Sequence, residues 1–354
     1  MPLMDWLQGH IWPAEARLSP EIVAVGTALA CAEMLRTGTT CFVDLYLFEQ
    51  TVARVVQDAG LRAVLGEGVF DQPNASSKTP DQALAKMAEL MAFCKDKDRL
   101  RPCMVAHSVY ATGPDTLLAL DALARDNGLK LTLHAAETAS ETAMVLAQTG
   151  LRPIALLESL GLLTPRLLAA HAVDVTEAEI ALLAERGVGV AHNPRSNMKL
   201  GSGAAPVAAM RRAGVLVGLG TDGAASNNAL NMFAEMHAAS LLGKLRALDP
   251  TALPAQDVLD MATRDGAVVA GWPELGSLEP GKRADLVVLD GTAPNLQPPH
   301  NPVSHLVYAA SGAEVRLTMV EGRVLYRDGA YTSLEYPALL REMSSIRCWA
   351  RKNT

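Results

Sequence analysis

Residues Val217–Asn228 read VGLGTDGAASNN, a short apolar run that stops at an aspartate and a glycine-rich turn. An apolar run holding Gly218 and Gly220 is what a buried parallel strand looks like where another backbone packs close against it. Asp222 falls where that strand runs out. A carboxylate at the mouth of a buried strand is poorly solvated and needs a cation, a proton or strong donors beside it. Taken alone, an aspartate before a glycine reads equally well as the cap of a turn or of the next helix. Other apolar runs in this chain end in ionisable residues in the same manner, and that repetition tips the reading.

Working outward, strands are expected over 39–46 (TTCFVDLY), 62–70, 102–110, 130–138, 167–175, 188–194 and 216–223. Apolar residues at helical spacing place helices between them, over 21–37, 50–60, 80–95, 115–127, 138–148, 176–187 and 205–213, with two more over 230–245 and 255–269. Thr138 with Glu141, and Thr176 with Glu179, have the spacing of capping boxes. Strand alternating with helix argues a parallel sheet with helices outside it. All seven strands read as buried and none as a polar edge. A closed eight-stranded barrel therefore fits better than an open doubly wound sheet, and no GxGxxG follows an early strand to support a dinucleotide fold. The opening residues 1–20, MPLMDWLQGHIWPAEARLSP, are Trp-rich, semi-structured and preceded by no strand. From Leu275 the pattern changes to short alternating strands with Gly turns, the mark of a small antiparallel β unit. The expected division is a barrel over 1–272, a β-sandwich portion over 273–334, and a C-terminal helix and tail over 335–354.

The chain has 354 residues, 49% hydrophobic and 19% charged, with a formal net charge of −7. That balance gives no basic surface for nucleic acid or anionic lipid. No window of about 18 uninterrupted apolar residues would span a bilayer. Cys31, Cys41, Cys94, Cys103 and Cys348 are odd in number and never in CxxC spacing, which suits a reducing compartment, so the expected location is the cytoplasm.

Four of the expected strands end in histidine: His107 in VAHSVY, His134 in LHAAE, His171 in AAHAVD and His192 in AHNPRSN. Any one of them could be a satisfied core residue. Four in series, each after three or four apolar residues, are harder to explain that way, because in a barrel those strand ends converge on one pocket. Neutral imidazoles and a carboxylate suit Zn²⁺ or Fe²⁺, and a bound cation lowers the pKa of its water towards about 7. Asp222 could hold such an ion and take the water's proton. Glu137, three residues after His134, is placed to act as a general acid, although the first turn of a helix favours carboxylates in any case.

HAAET, HAVD, AHNPRSNMKLGSGAAPV and above all GTDGAASNNALNMFAEM resemble the amidohydrolase superfamily, most closely its 5-methylthioadenosine/S-adenosylhomocysteine deaminases. PLMDWLQGHIWPAEARL near the start and ADLVVLD with MVEGRVLY near the end are similar to the same family. The resemblance implies a (β/α)₈ barrel of TIM type with a β-sandwich built from both chain ends. It also implies one divalent metal, Zn²⁺ ahead of Fe²⁺, and hydrolytic release of ammonia from C6 of an adenine ring. Matched by motif, His134 and Asp222 would be metal ligands, Glu137 the proton shuttle to the ring, His171 the residue that orients the water, and Asp222 also the base. His107 would touch substrate, Glu15 would hold the ribose hydroxyls, and Trp6 would wall the pocket. Ser196, Asn197 and Asn228 would be supporting or turn residues. Homo-oligomers, dimers or tetramers, are usual for such proteins.

Two departures stand against the pattern. The family's first barrel strand ends in an HxH pair, and this sequence contains no HxH. With seven strands counted, the expectation is a barrel lacking its first strand, from an N-terminally truncated copy. Glu67, in LGEGVF, stands where some members have an arginine that holds the substrate's carboxylate end. Other readings keep the fold with a different substrate, as in a guanine deaminase or an s-triazine chlorohydrolase, or make the chain a metal-free, non-catalytic homologue. The zinc cytidine-deaminase type is disfavoured, because its HxE and PCxxC signature is missing.

Overall fold

The computed structural model describes residues 3–351. A parallel sheet organises it, with strands β1 (Cys41–Tyr46), β2 (Arg62–Val69), β3 (Leu100–Pro102), β4 (Met104–Ser108), β5 (Leu131–Ala135), β6 (Leu167–His171), β7 (Gly189–His192) and β8 (Leu216–Leu219). They run in the order β1-β2-β4-β5-β6-β7-β8, with β3 paired to β2. The strand expected over 102–110 is β4, and β3, which ends at Pro102, is a short strand ahead of it. β3 pairs with Ala63–Leu65, β4 pairs with Gly68 and Val69 further along the same strand, and Cys103 separates them. Counting β3 and β4 as one stave leaves seven, as the sequence suggests. The outer edges of β1 and β8 have no strand partner among the described residues.

Helices cover one face of the sheet. Leu65, Met104, Leu131, Leu133, Leu167, Ala169, Val190 and Val217 point into the main apolar core. The residues alternating with them, such as Val64 and Val105, line the other face, where Trp272 and Leu275 pack. Gly218 and Gly220 behave as close-packing residues. A Cβ on Gly218 would lie 2.9 Å from the Gly266 Cα, and one on Gly220 would collide with the Asn193 side chain.

Local signals hold where they concern chain ends. Thr176 and Glu179 form the full capping box. Thr138 caps its helix too, but Glu141 turns away and accepts from the Ala136 and Glu137 amides, so that box is only half formed. The stretch expected as one helix over 255–269 breaks at Thr263 into Ala255–Ala262 and Arg264–Val269. The opening segment is helical rather than semi-structured, running from Leu3 to Glu15 through α and π turns.

Beyond the barrel, β9 (Leu286–Leu289), β10 (Val315–Val320), β11 (Arg323–Arg327) and β12 (Ala330–Tyr331) form an antiparallel sheet in the order β12-β11-β10-β9. Its anchor is Arg62, fully buried at the start of β2. Arg62 makes two 3.0 Å bonds to Asp285, pairs with Glu321 and lies over the Trp272 ring at 4.5 Å. The last helix runs Tyr336–Arg351. Cys31, Cys41, Cys94 and Cys103 are free thiols, and Cys348 lies outside the described side chains.

Candidate active site

Three of the four histidines meet at the C-terminal ends of the strands. The His107 and His134 ring centroids lie 4.9 Å apart, and those of His134 and His171 5.5 Å apart. Strand alternation explains the first two, since His107 and His134 oppose the helix-facing Ala106 and Leu133. His171 has the parity of Leu167 and Ala169, which pack against the helices. The chain leaves extended geometry at that point, with φ 75° at His171 and 46° at Ala172, and the ring swings to stack on His134. His192 is buried, and among the described residues it has no ring contact with the other three and its Nδ1 has no hydrogen-bond partner.

Each ring is oriented by a neighbour. His134 Nδ1 lies 2.7 Å from the His107 carbonyl and so donates to it, which leaves Nε2 as a free lone pair. His171 Nδ1 donates to Asn197 Oδ1 at 2.8 Å. Its Nε2 faces Glu137 Oε2 at 3.7 Å, too far for a hydrogen bond but close enough for the charges to couple. Ser202 donates to Glu137 Oε1 at 3.3 Å. Ala136, at φ 51°, reverses the chain so that Glu137 points back over the strands, and Glu141 holds both amides of that reversal. Asp222, also left-handed at φ 59°, accepts from Ser196 Oγ at 2.6 Å and from the Gly223 amide at 2.7 Å. Left-handed backbone at non-glycine residues costs about 1–3 kcal/mol each and persists where surrounding contacts impose it.

Electrostatics separate the rings. Burial and then neighbouring imidazoles hold His107 and His134 below the usual histidine range, and burial takes His192 down to about 3. Burial opposes charge on His171 as well, but Glu137 and then Asp222 more than offset it and raise its pKa. Asp222 is held low, because His171 and Ser196 outweigh its burial. The result is neutral imidazoles around one more basic ring flanked by two acids.

The remaining expected residues lie further out. Glu15 accepts from Tyr46 Oη at 2.7 Å beside the exit of β1, and burial raises its pKa. Trp6 is half-buried in the opening helix. Nothing among the described contacts ties either one to the histidine rings. Phe70 and Tyr110, which sequence reading missed, pack against His107 at 4.7 and 5.8 Å. Glu67, standing where some members have an arginine, is taken up by the fold. It accepts from the Phe48 and Glu49 amides and from Ser76, capping the helix Glu49–Ala59, whose own N-cap Phe48 has no capping side chain. Asn228 is a left-handed turn residue, as expected. A hollow of about 520 Å³ lined by Lys95, Lys97, Arg101 and Trp272 lies near the opposite, N-terminal ends of the strands and has no part in this set.

The sequence profile of the amidohydrolase family matches residues 1–325. The chain belongs to the amidohydrolase family. Among relatives in that family, a Nitratidesulfovibrio vulgaris protein named 5-methylthioadenosine/S-adenosylhomocysteine deaminase is 54% identical over 349 residues, covering 99% of this chain and 79% of its own. A Methanothermobacter thermautotrophicus protein named 5'-deoxyadenosine deaminase is 46% identical over 337 residues, 95% of this chain and 78% of its own. The solved structure of a Xanthomonas campestris adenosine deaminase with bound zinc superposes with a TM-score of 0.96 at 41% identity, covering 100% of this chain and 80% of its own.

Amidohydrolase membership and the zinc-bound relative support a divalent metal. The donors present are of the right kind. The Nδ1 bond of His134 sets the tautomer a metal-binding imidazole needs, and Asp222 is ionised beside it. As a ligand set they are incomplete, since no three His, Cys, Asp or Glu among the described residues are grouped to hold an ion.

Proposed function

We propose that the chain is a hydrolytic deaminase acting on C6 of the adenine ring in a small nucleoside: 5'-methylthioadenosine, S-adenosylhomocysteine, 5'-deoxyadenosine or adenosine. The observation that carries the reading is the meeting of His134, His171 and Glu137, with the ionised Asp222 coupled to both rings, at the ends of neighbouring strands. The names of the relatives point to the same substrate class. They favour it over a guanine deaminase or an s-triazine chlorohydrolase.

In this reading His134 and Asp222 are metal ligands, the ion being zinc ahead of iron. Such an ion, when bound, lowers the pKa of water towards about 7 and sharpens it as a nucleophile. His171, fixed by Asn197, orients the water against C6, and Asp222 takes its proton. Glu137 delivers a proton to the ring nitrogen beside C6 as the carbon–oxygen bond forms. The proton held by Asp222 then passes to the amino group, the C6 hydroxyl proton returns to Glu137 as the C6–N bond breaks, and ammonia leaves with the 6-oxo product. His107 packs on the substrate edge, Glu15 holds the ribose and Trp6 walls the approach.

The test is to supply purified protein with Zn²⁺ or Fe²⁺ and each of the four nucleosides and to follow the adenine absorbance. Loss of absorbance on at least one supports the proposal. No change on any of them, while zinc is bound, would rule it out. A metal-free, non-catalytic homologue would instead retain no stoichiometric zinc.

A further inference from the structure

We infer that Glu235 is a positioning residue that holds both sides of Asp222 in place. The inference rests on the reading of Asp222 and His171 as working residues. Glu235 lies in the first turn of the helix Met232–Ala247, fully buried, one layer behind the site. Asn231 already caps that helix, accepting from the Phe233 and Ala234 amides, so Glu235 is free for another task.

Its two oxygens reach two different short helices, Ala224–Asn227 and Pro194–Leu200. Oε1 accepts from Asn227 Nδ2 at 2.7 Å, and the same amide nitrogen donates to the Thr221 carbonyl at 2.6 Å. Thr221 precedes Asp222 in the chain, so this branch grips the Asp222 backbone. Oε2 accepts from the Arg195 amide at 3.3 Å. Arg195 precedes Ser196, whose hydroxyl donates to the Asp222 carboxylate. The next residue, Asn197, holds His171. One carboxylate therefore closes a ring from the short helix after β8 to the short helix after β7, with Asp222 inside it.

Asp222 needs such a hold because its φ of 59° is unfavourable for an aspartate and relaxes unless surrounding contacts impose it. A buried carboxylate is also an expensive way to fill space, since burial pushes the Glu235 pKa up to about 7. Glu314 in the smaller sheet region offers a control. It too is a buried carboxylate gathering loop amides, those of Ser311 and Gly312, but it lies a step further off, its loop meeting the Glu235 helix at Asn231, which donates to the Ser311 carbonyl.

The experiment compares Glu235→Gln with Glu314→Gln by hydrogen exchange and by zinc affinity measured in competition with a chelator. For Glu235→Gln, exchange should quicken in both 193–202 and 220–228 while β5 and β6 keep the parent's protection. Zinc affinity should fall about 10- to 100-fold, as when partners behind a ligand are lost. Glu314→Gln should lower the melting temperature and change neither. Asn227→Ser cuts the same ring one link nearer and should reproduce the loss. Exchange that quickens only around residue 235, or evenly along the chain, overturns the inference, as does unchanged zinc affinity. If the parent retains no zinc, the metal reading fails by itself, and the exchange pattern still decides the role of Glu235.

Discussion

The two ends of the parallel sheet bury ionisable groups by opposite rules. At the N-terminal end Arg62 is fully buried and fully answered. Asp285 takes its Nε and Nη2, the Asp98 carbonyl takes Nη1, and Glu321 shares Nη2. At the C-terminal end the polar atoms are oriented but left with spare capacity. His134 and His171 each have one ring nitrogen fixed, while Nε2 is without a hydrogen bond. A buried polar group that the protein itself completes stabilises the fold, and one left incomplete is available to a ligand.

The sharpest way to break the comparison is at Glu137. Glu137→Gln should keep the melting temperature and lose about 10²- to 10⁴-fold in deamination rate, the usual worth of a general acid–base group. Arg62→Met should do the reverse, leaving Asp285 buried without its partner at a cost of about 3–5 kcal/mol. A urea midpoint would show that loss, while the rate per folded molecule stays at the parent's value.

A third prediction concerns Asp44 on β1, whose carboxyl burial pushes up to about 6. Because that is above the ordinary carboxyl range, the contribution of Asp44 to stability is complete at low pH and is lost as pH rises through about 6. Asp44→Asn should match the parent at pH 4 and exceed it at pH 8 by on the order of 1–3 kcal/mol, in denaturant melts at both values. Equal stability at both would mean that Asp44 is answered like Arg62. The smallest effect is expected at Arg101, which pairs with Glu274 and lies 3.4 Å from the Trp272 ring centroid, yet is 39% exposed. Arg101→Gln should cost about 1 kcal/mol or less, because water already competes for both contacts.

Much of this was legible in one dimension. Apolar runs bounded by Gly, and capping residues such as Thr176, are local signals, so the order of the long strands and helices could be read, while the short helices Pro153–Ser159, Pro194–Leu200 and Pro302–Tyr308 could not. His107 and His134 could be placed by alternation alone. Glu141 could not, because its spacing from Thr138 spells a capping box while its carboxylate finds nearer amides at Ala136 and Glu137. Glu67 could be read only as a departure from the family's arginine, since nothing in LGEGVF reveals that the helix start at Phe48 lacks a capping side chain of its own.

What the sequence determined by itself is the succession of buried staves and the kind of chemistry, imidazole and carboxylate, at their ends, because runs, periods and motifs are properties of neighbouring residues. The tertiary structure alone decided which of those groups meet. His171 joins His134 only through a left-handed turn of the backbone, His192 makes no ring contact with them among the described residues, and Glu235 reaches Asp222 through a ring of contacts from two short helices. Those outcomes depend on residues brought together by packing of the whole sheet, and no local pattern records them.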